Sequence, residues 1–252
     1  MRKNYCLEVC TDSVASAVEA QKGGADRIEL CSNLIIGGVS PGKALFGLVK
    51  KYTDLKVRVL LRPRYGDYCY NDYEFEQLKE EVQMYHELGA DGIVIGMLRP
   101  DGNLDVERMH ELMTFAGTMD VALHRAFDNC RDPYQALEEA ISLGMKTILT
   151  GGQEVEAWNG RETLAKLQKK SAGRIQILAG GGIGKDVIQR LFPITGITSY
   201  HMSGKRAVES AMEYRPDGAS MGQPGEDEYS IWQTDSEKVA AAVNVLKELT
   251  QD

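Results

Sequence analysis

Leu7-Glu8-Val9-Cys10 and Ile28-Glu29-Leu30-Cys31 are two near-copies of one short apolar-Glu-apolar-Cys strand. Between them, apolar residues recur at helical spacing over residues 14–21, and Gly23-Gly24 provides a stop signal. A strand, a helix and a second strand in this order predict parallel neighbours joined by a right-handed crossover. The stretch therefore predicts an α/β fold built on a parallel sheet.

The charged and sulfur-containing side chains of these two strands should lie together. Side chains alternate along a strand, so Glu8 and Cys10 share one face, and Glu29 and Cys31 share the same face of the next strand. The intervening apolar residues face the opposite way, where helices would cover the sheet. We expect two acids and two thiols at the carboxyl ends of adjacent strands.

The same rhythm continues along the chain. Helices that end in glycine are followed at once by short strands, as at Gly89-Ala90-Asp91 and Gly144-Met145-Lys146. Further strands are predicted at residues 57–62, 92–96, 121–124, 146–150, 174–179 and 197–201. Eight strands alternating with helices in 252 residues predict a single-domain (β/α)8 TIM-type barrel over residues 1–252. A doubly wound open sheet is the alternative, but no dinucleotide fingerprint follows the first strand, so no nucleotide cofactor is indicated.

Residues 202–234 interrupt this rhythm. The segment is rich in Gly, Pro, Met and charged residues and lies between the eighth strand and the last helix. A loop of this length inside a compact domain is typically a lid or a contact between subunits. We expect one of these two roles.

Composition narrows the class of partners. The chain is 43% hydrophobic and 26% charged, which is typical of a soluble globular protein, and its net charge of -8 argues against nucleic acid. The amino terminus lacks a signal-peptide pattern, and no apolar run is long enough for a membrane span. Five cysteines, an odd number without regular spacing, are typical of a reducing compartment. We therefore expect a cytoplasmic protein.

Polar residues cluster where the predicted strands end, which is where barrels of this type carry their working groups. Inward-facing parity selects Glu8, Glu29, Arg62 and His124. These predict acid–base chemistry, with Glu8 or Glu29 as base, His124 as acid and Arg62 holding an anion. The alternative is structural, with Glu29 paired to Arg62 and Glu8 to His124. The full set of candidates at the strand ends is Glu8, Cys10, Glu29, Cys31, Arg62, Arg64, His124, Arg125, Asp128, Thr150, Gln153, His201 and Lys205.

A glycine run follows the seventh predicted strand. Gly180, Gly181 and Gly182 would let backbone amides approach an anion, and Ser203 and Lys205 after the eighth strand could complete the site. Loops at these two places often bind phosphate in this fold. The alternative is a tight turn that needs glycine for backbone reasons alone.

Cys10 and Cys31 form the other candidate site. Two thiolates on neighbouring strands can hold Cu(I) in near-linear geometry, whereas no further Cys pair or His spacing supports zinc. The alternative is that both are small buried apolar residues, as most free cysteines are.

Several motifs, in this order, resemble the CutC family, whose members are called copper homeostasis proteins. The matching stretches are residues 7–10, 23–31, 62–64 with 66–67, 124–128, 149–153, 179–182 and 201–203. The resemblance implies a TIM-type barrel, a cytosolic location and a homodimer or higher homo-oligomer. It also implies Cu(I) binding at the positions of Cys10 and Cys31. The sequence thus supports two hypotheses: a Cu(I)-handling protein, or a barrel enzyme acting on a small phosphorylated or carboxylated metabolite.

Overall fold

The computed structural model describes residues 4–216 and 227–251. Its main feature is a closed barrel of eight parallel strands in sequence order, with β1 lying between β8 and β2. The strands are β1 Cys6–Thr11, β2 Arg27–Leu30, β3 Lys56–Leu60, β4 Gly92–Ile95, β5 Asp120–Leu123, β6 Thr147–Thr150, β7 Gln176–Gly180 and β8 Ser199–Met202.

A helix follows each barrel strand. The helices are α1 Val14–Lys22, α2 Lys43–Tyr52, α3 Asp72–Glu87, α4 Val106–Ala116, α5 Pro133–Ser142, α6 Arg161–Ser171, α7 Lys185–Thr195 and α8 Ser236–Thr250. Helix α1 begins after Ser13, whose side chain accepts a hydrogen bond from the Ser16 backbone amide. Helix α5 begins at Pro133 after the N-cap Asp132. The (β/α)8 prediction is confirmed.

The register of the first strands determines which side chains share the barrel interior. Glu8 lies opposite both Arg27 and His201, and Cys10 lies opposite Glu29. The residues that alternate with these inward-facing side chains are fully buried on the helix side of the strands. They are Leu7 and Val9 on β1 and Ile28 and Leu30 on β2. Burying a side chain of this size contributes roughly 1.5–3 kcal/mol, so a one-residue slip that exposed this face would be strongly disfavoured.

Charged groups fill the lower part of the barrel interior, where many TIM barrels carry branched apolar residues. Arg27 donates to the Glu8 carboxylate and to Gln176 Oε1 (3.2 Å), while Arg58 donates to Thr147 Oγ1 (3.1 Å). Above this interior charge network, toward the carboxyl ends, a small apolar cluster closes part of the barrel. That cluster consists of Cys31, Leu60, Val94 and Ala122.

The segment after β8 contains regular structure that the sequence analysis predicted as loop. Strands β9 Lys205–Glu209 and β10 Ser230–Thr234 form an antiparallel pair. Most of their side chains are exposed, so no apolar alternation marks the pair in the sequence. The Thr234 amide donates to Ser16 Oγ (3.1 Å), which fixes the pair to α1. Residues 217–226 of the predicted lid or interface lie outside the described residues.

None of the helices in the two described ranges is both long and apolar enough to span a membrane.

Candidate functional site

A cavity of about 500 Å³ opens at the carboxyl ends of the strands, and we call it the mouth cavity. Three of the four predicted acid–base residues, Glu29, Arg62 and His124, line it, whereas Glu8 does not. Its other walls come from strand ends and from the loops after β2, β3, β5 and β6. Further lining residues include Cys10, Leu34, Leu60, Tyr68, Leu149 and His201.

Glu8 belongs to the interior charge network below the cavity. Its carboxylate accepts hydrogen bonds from Arg27 and from His201 Nδ1 (2.8 Å), and Arg58 lies 3.6 Å away. Burial opposes ionisation, but Arg27 and His201 more than offset it and hold the pKa of Glu8 well below its usual range. Glu8 is thus a permanent buried carboxylate that orients His201.

Glu29 lines the cavity, as do two other acidic residues, Asp128 and Glu154. The Oε2 atom of Glu29 is buried and has no hydrogen-bond partner among the described residues. Burial raises the pKa of Glu29 to about 7, although the nearby His201 acts in the opposite direction. A carboxyl group with this pKa can exchange a proton near neutral pH.

His124 presents a neutral imidazole to the cavity. Its Nδ1 atom accepts a hydrogen bond from the Ala126 amide (3.1 Å), which leaves the proton on Nε2, a buried atom without a partner in the described chain. Burial and the charge of Arg62 lower the pKa of His124 to about 3. The ring packs 4.8 Å from the Tyr68 ring centroid. His124 can therefore donate one hydrogen bond without carrying charge.

Arg62 is a buried cation without a carboxylate partner among the residues described. It donates through Nη1 to the Gly38 carbonyl (3.0 Å) and through Nη2 to the Gly66 carbonyl (2.7 Å), while Nε has no partner. Its guanidinium lies 5.1 Å from the Tyr68 ring centroid. The purely structural alternative, in which Arg62 and His124 neutralise the two acids, is not what the described residues form.

The two predicted metal-binding thiols differ in their access to the cavity. Cys10 lines it, is 8% exposed, and has its Sγ 3.6 Å from the Met202 carbonyl. Cys31 is fully covered, with its Sγ 3.5 Å from the Thr11 carbonyl. Burial, and to a lesser degree Cys10, raises the pKa of the Cys31 thiol well above its usual range. Cys10 is therefore the more accessible of the two thiols.

His201 is a site residue that the selection by inward parity left out, although it stands among the strand-end candidates. In the structure Tyr200 and Met202 face the helices and His201 faces inward, opposite Glu8. The same register argument that selected Glu29 would have found it.

The remaining strand-end candidates mainly support loops. Asp128 accepts hydrogen bonds from the Arg125 side chain (2.6 Å), from the Thr150 hydroxyl and from the Gly151 and Gln153 amides (2.9 and 3.0 Å). Arg64 is paired with Asp67 and Glu74 outside the cavity. Tyr68, which no strand-end argument selects, is the side chain that packs against both Arg62 and His124.

The residues of the predicted anion site divide between two environments. Gly182, Ser203 and Lys205 line a separate cavity of about 620 Å³. A Cβ on Gly180 would lie 2.5 Å from the Leu149 side chain, and one on Gly181 would lie 2.4 Å from the Val155 carbonyl. Packing is thus a sufficient reason for glycine at two of the three positions, and an anion site formed by Gly180, Gly181, Gly182, Ser203 and Lys205 stays a prediction.

A sequence model described as the CutC family matches residues 5–206, which include all the cavity residues named above. The chain belongs to the CutC family. A CutC protein of Chromobacterium violaceum is 39% identical, covering 95% of this chain and 97% of the relative. The human copper homeostasis protein cutC homolog is 40% identical, covering 96% of this chain and 90% of the relative. The resemblance noted from the sequence motifs is confirmed.

Solved structures agree with this membership. The crystal structure of CutC from Streptococcus agalactiae superposes with a TM-score of 0.76 and 26% identity, covering 79% of this chain and 98% of that one. Thiamine phosphate pyrophosphorylase from Pyrococcus furiosus, at 20% identity and a TM-score of 0.57, shares the fold alone.

Proposed function

We propose that this CutC-family protein acts in copper homeostasis by binding Cu(I) through Cys10 and Cys31. The observation that carries the proposal is that both thiols project into the carboxyl end of the barrel from adjacent strands. Two thiolates are suitable ligands for a soft monovalent ion, and carboxylates and arginines are not. The names of the human and mouse relatives support a copper role.

Access to the two thiols implies an order of binding. Cu(I) entering the mouth cavity meets Cys10, which lines it, before Cys31, which does not. Cys31 then has to release its contact with the Thr11 carbonyl and lose its proton to complete a two-sulfur site. The apolar cover over Cys31 keeps water from a bound ion.

Cu(I) competition with a chelator under reducing conditions tests the proposal. The variants are Cys10→Ser, Cys31→Ser and the double change, and Cys69→Ser, at a half-buried thiol on a loop, is the matched control. We expect each single site variant to bind at least about tenfold more weakly and the control to match the parent. A double variant that binds Cu(I) as tightly as the parent would refute the proposal.

The second candidate is an acid–base enzyme acting on a small carboxylated metabolite. The observation that favours it is that Glu29 Oε2, His124 Nε2 and Arg62 Nε are buried atoms without partners among the described residues, on three side chains lining one cavity. Native proteins rarely leave such atoms unsatisfied, and a bound ligand would satisfy all three. Glu29 would transfer the proton, His124 would polarise a carbonyl or hydroxyl oxygen, and Arg62 would hold the carboxylate.

A turnover screen of small carboxylic acids tests this second candidate. Glu29→Gln, which keeps the shape of the side chain, should reduce any turnover by roughly 10²- to 10⁴-fold. Glu138→Gln, at an exposed ion pair with Arg174, is the control and should leave it unchanged. Turnover that survives Glu29→Gln would exclude Glu29 as the acid–base group.

We further infer that the protein is cytoplasmic and forms homo-oligomers. All five cysteines are free thiols, which supports a reducing compartment. Exposed apolar side chains on β10 (Ile231 and Trp232) and in the segment between β9 and β10 (Met212) support a subunit contact there. Sedimentation of the purified chain tests the oligomeric state, and a monomer at all concentrations would refute it.

A further inference from the structure

We propose that the mouth cavity is a binding site for a small monoanionic hydroxycarboxylate. In this site Arg62 Nε and His124 Nε2 donate to the carboxylate, and Glu29 accepts from the hydroxyl group. This inference rests on the second candidate function for the existence of a ligand, but it names the ligand class and holds with or without turnover.

The charge of Arg62 requires an anion. Arg62 is only 7% exposed, and its two terminal nitrogens donate to neutral carbonyl groups of Gly38 and Gly66. Buried arginines are normally paired with a carboxylate or phosphate, because an uncompensated charge in a low-dielectric site is costly. Since no acidic side chain in the described ranges pairs with Arg62, the cavity itself is where the missing anion fits.

Arg62 and His124 form one donor pair. Both side chains pack against Tyr68, the guanidinium 5.1 Å and the imidazole 4.8 Å from its ring centroid. The hydrogen bond from Ala126 to His124 Nδ1 leaves Nε2–H as a buried donor without a partner among the described residues. Gly96 provides room for this ring, because a Cβ there would lie 2.6 Å from two imidazole atoms. The two donors are therefore held in place before a ligand arrives.

Glu29 is the hydrogen-bond acceptor of the proposed site, whereas Arg62 and His124 are its donors. The Oε2 atom of Glu29 is a buried acceptor, and it lies on β2 while the donors lie at the ends of β3 and β5. The carboxyl group of Glu29 disfavours a second carboxylate or a dianion such as phosphate, because Glu154 also lines the cavity and the second lining arginine, Arg125, is paired with Asp128. A hydroxyl group satisfies Glu29 without adding charge. Leu34, Leu60 and Leu149 line the same cavity and fit a short carbon skeleton.

Calorimetric titration of the metal-free protein tests the proposal, with glycolate, acetate and inorganic phosphate as probes. Glycolate carries both groups, acetate only the carboxylate, and phosphate the wrong charge and shape. We expect glycolate to bind about tenfold or more tightly than acetate, and phosphate more weakly than either, since a hydrogen bond to a charged group is worth roughly 1.5–3 kcal/mol.

Two variants test separately the acceptor for the hydroxyl group, Glu29, and the donor to the carboxylate, Arg62. Glu29→Gln should keep acetate binding and change the ratio of glycolate to acetate affinity by at least about fivefold. Arg62→Lys, which keeps the charge but removes the Nε donor, should weaken both carboxylates by about tenfold or more. Arg174→Lys, at an exposed arginine, is the matched control and should leave binding unchanged.

The binding results can refute the proposed ligand class independently of any turnover. If neither glycolate nor acetate binds at about 10 mM, or if both variants leave binding unchanged, the proposal is wrong. Arg62→Lys could disturb folding through the loops that contain Gly38 and Gly66. In that case the ratio of glycolate to acetate affinity, measured with Glu29→Gln, still tests the proposal. Glycolate-selective binding without turnover of any hydroxycarboxylate would uphold this inference and refute the acid–base function.

Discussion

His124 keeps a neutral ring because it is buried beside a cation, and this makes the protein sensitive to acid. Its pKa falls from 6.5 to about 3 on folding. As the pH falls below about 6.5, the unfolded chain takes up a proton that the folded protein does not, so stability is lost. His124→Asn keeps an acceptor for the Ala126 amide and does not titrate.

Urea unfolding at pH 7 and pH 5 measures this effect. The parent should lose about 2 kcal/mol more of its free energy of unfolding between these pH values than His124→Asn does. An equal loss in both proteins would show that His124 is protonated in the folded state.

Gly96 leaves space for the His124 ring, and a second glycine in open surroundings shows whether this packing, and not backbone propensity, determines the effect of a substitution. In Gly96→Ala the new methyl would meet the His124 ring and the Ala126 side chain, so we expect a loss of roughly 1–3 kcal/mol in the free energy of unfolding. Gly47→Ala, in an exposed position of α2 with open space around the new methyl, should instead gain about 0.5–1 kcal/mol. Thermal or urea unfolding of both variants checks the opposite signs, and a stabilised Gly96→Ala would contradict the packing account.

Strand alternation predicts which side chains face inward, and for Glu29, Arg62 and His124 this is enough to bring them to one cavity. Their hydrogen-bond partners could not be predicted in this way. Arg62 is held by carbonyls of two loops, and a backbone amide determines the proton position on His124. Loop conformations of this kind depend on the whole fold and not on the alternation of the strand.

At the scale of the element, helix α3 begins with a reciprocal capping pair. The Asn71 side chain accepts from the Glu74 amide (3.0 Å), and the Glu74 side chain accepts from the Asn71 amide (2.9 Å). Asn71→Ala should lower the free energy of unfolding by about 1 kcal/mol.

The matched control is Asn244→Ala at an exposed position inside α8, where alanine is the better helix former and a gain of a few tenths of a kcal/mol is expected. Chemical denaturation measures both. A neutral Asn71→Ala would show that the cap does not limit the stability of this end of the barrel.

The first helix, predicted from apolar spacing over residues 14–21 and the stop at Gly23-Gly24, is found at Val14–Lys22. The β9–β10 pair was missed because its stability comes from pairing and from attachment to α1, while both faces of its strands are largely exposed. Hydrophobic periodicity reveals an element only where one of its faces is buried, and the β9–β10 pair buries few side chains.

For the whole molecule, the interior charge network is the least replaceable part of the barrel. Glu8→Gln would leave Arg27 and Arg58 buried without their shared carboxylate, so we expect a loss of roughly 3–5 kcal/mol in the free energy of unfolding. Glu138→Gln, which breaks the exposed pair with Arg174, should leave stability nearly unchanged. Equal effects in the two variants, measured by urea unfolding, would mean that water reaches the network.

The barrel itself could be predicted because eight strand signals alternate with helices in a chain of this length. Its polar interior was predicted only at the strand ends, although Arg27 and Arg58 have the same parity as Glu29 and Arg62. Many TIM barrels carry branched apolar residues below the strand ends, so position at a strand end gives no sign of charged groups deeper in the interior. Extending the parity rule down each strand would have predicted the network.

X-ray absorption at the copper edge of the Cu(I)-loaded protein tests the central claim most directly, because it counts the sulfur atoms bound to the ion. The claim that Cys10 and Cys31 together bind Cu(I) predicts two sulfur neighbours in the parent. It predicts a single sulfur neighbour in Cys31→Ser and in Cys10→Ser, and two in the Cys69→Ser control. Copper surrounded by nitrogen and oxygen alone, or by two sulfur atoms that persist in Cys31→Ser, would contradict it.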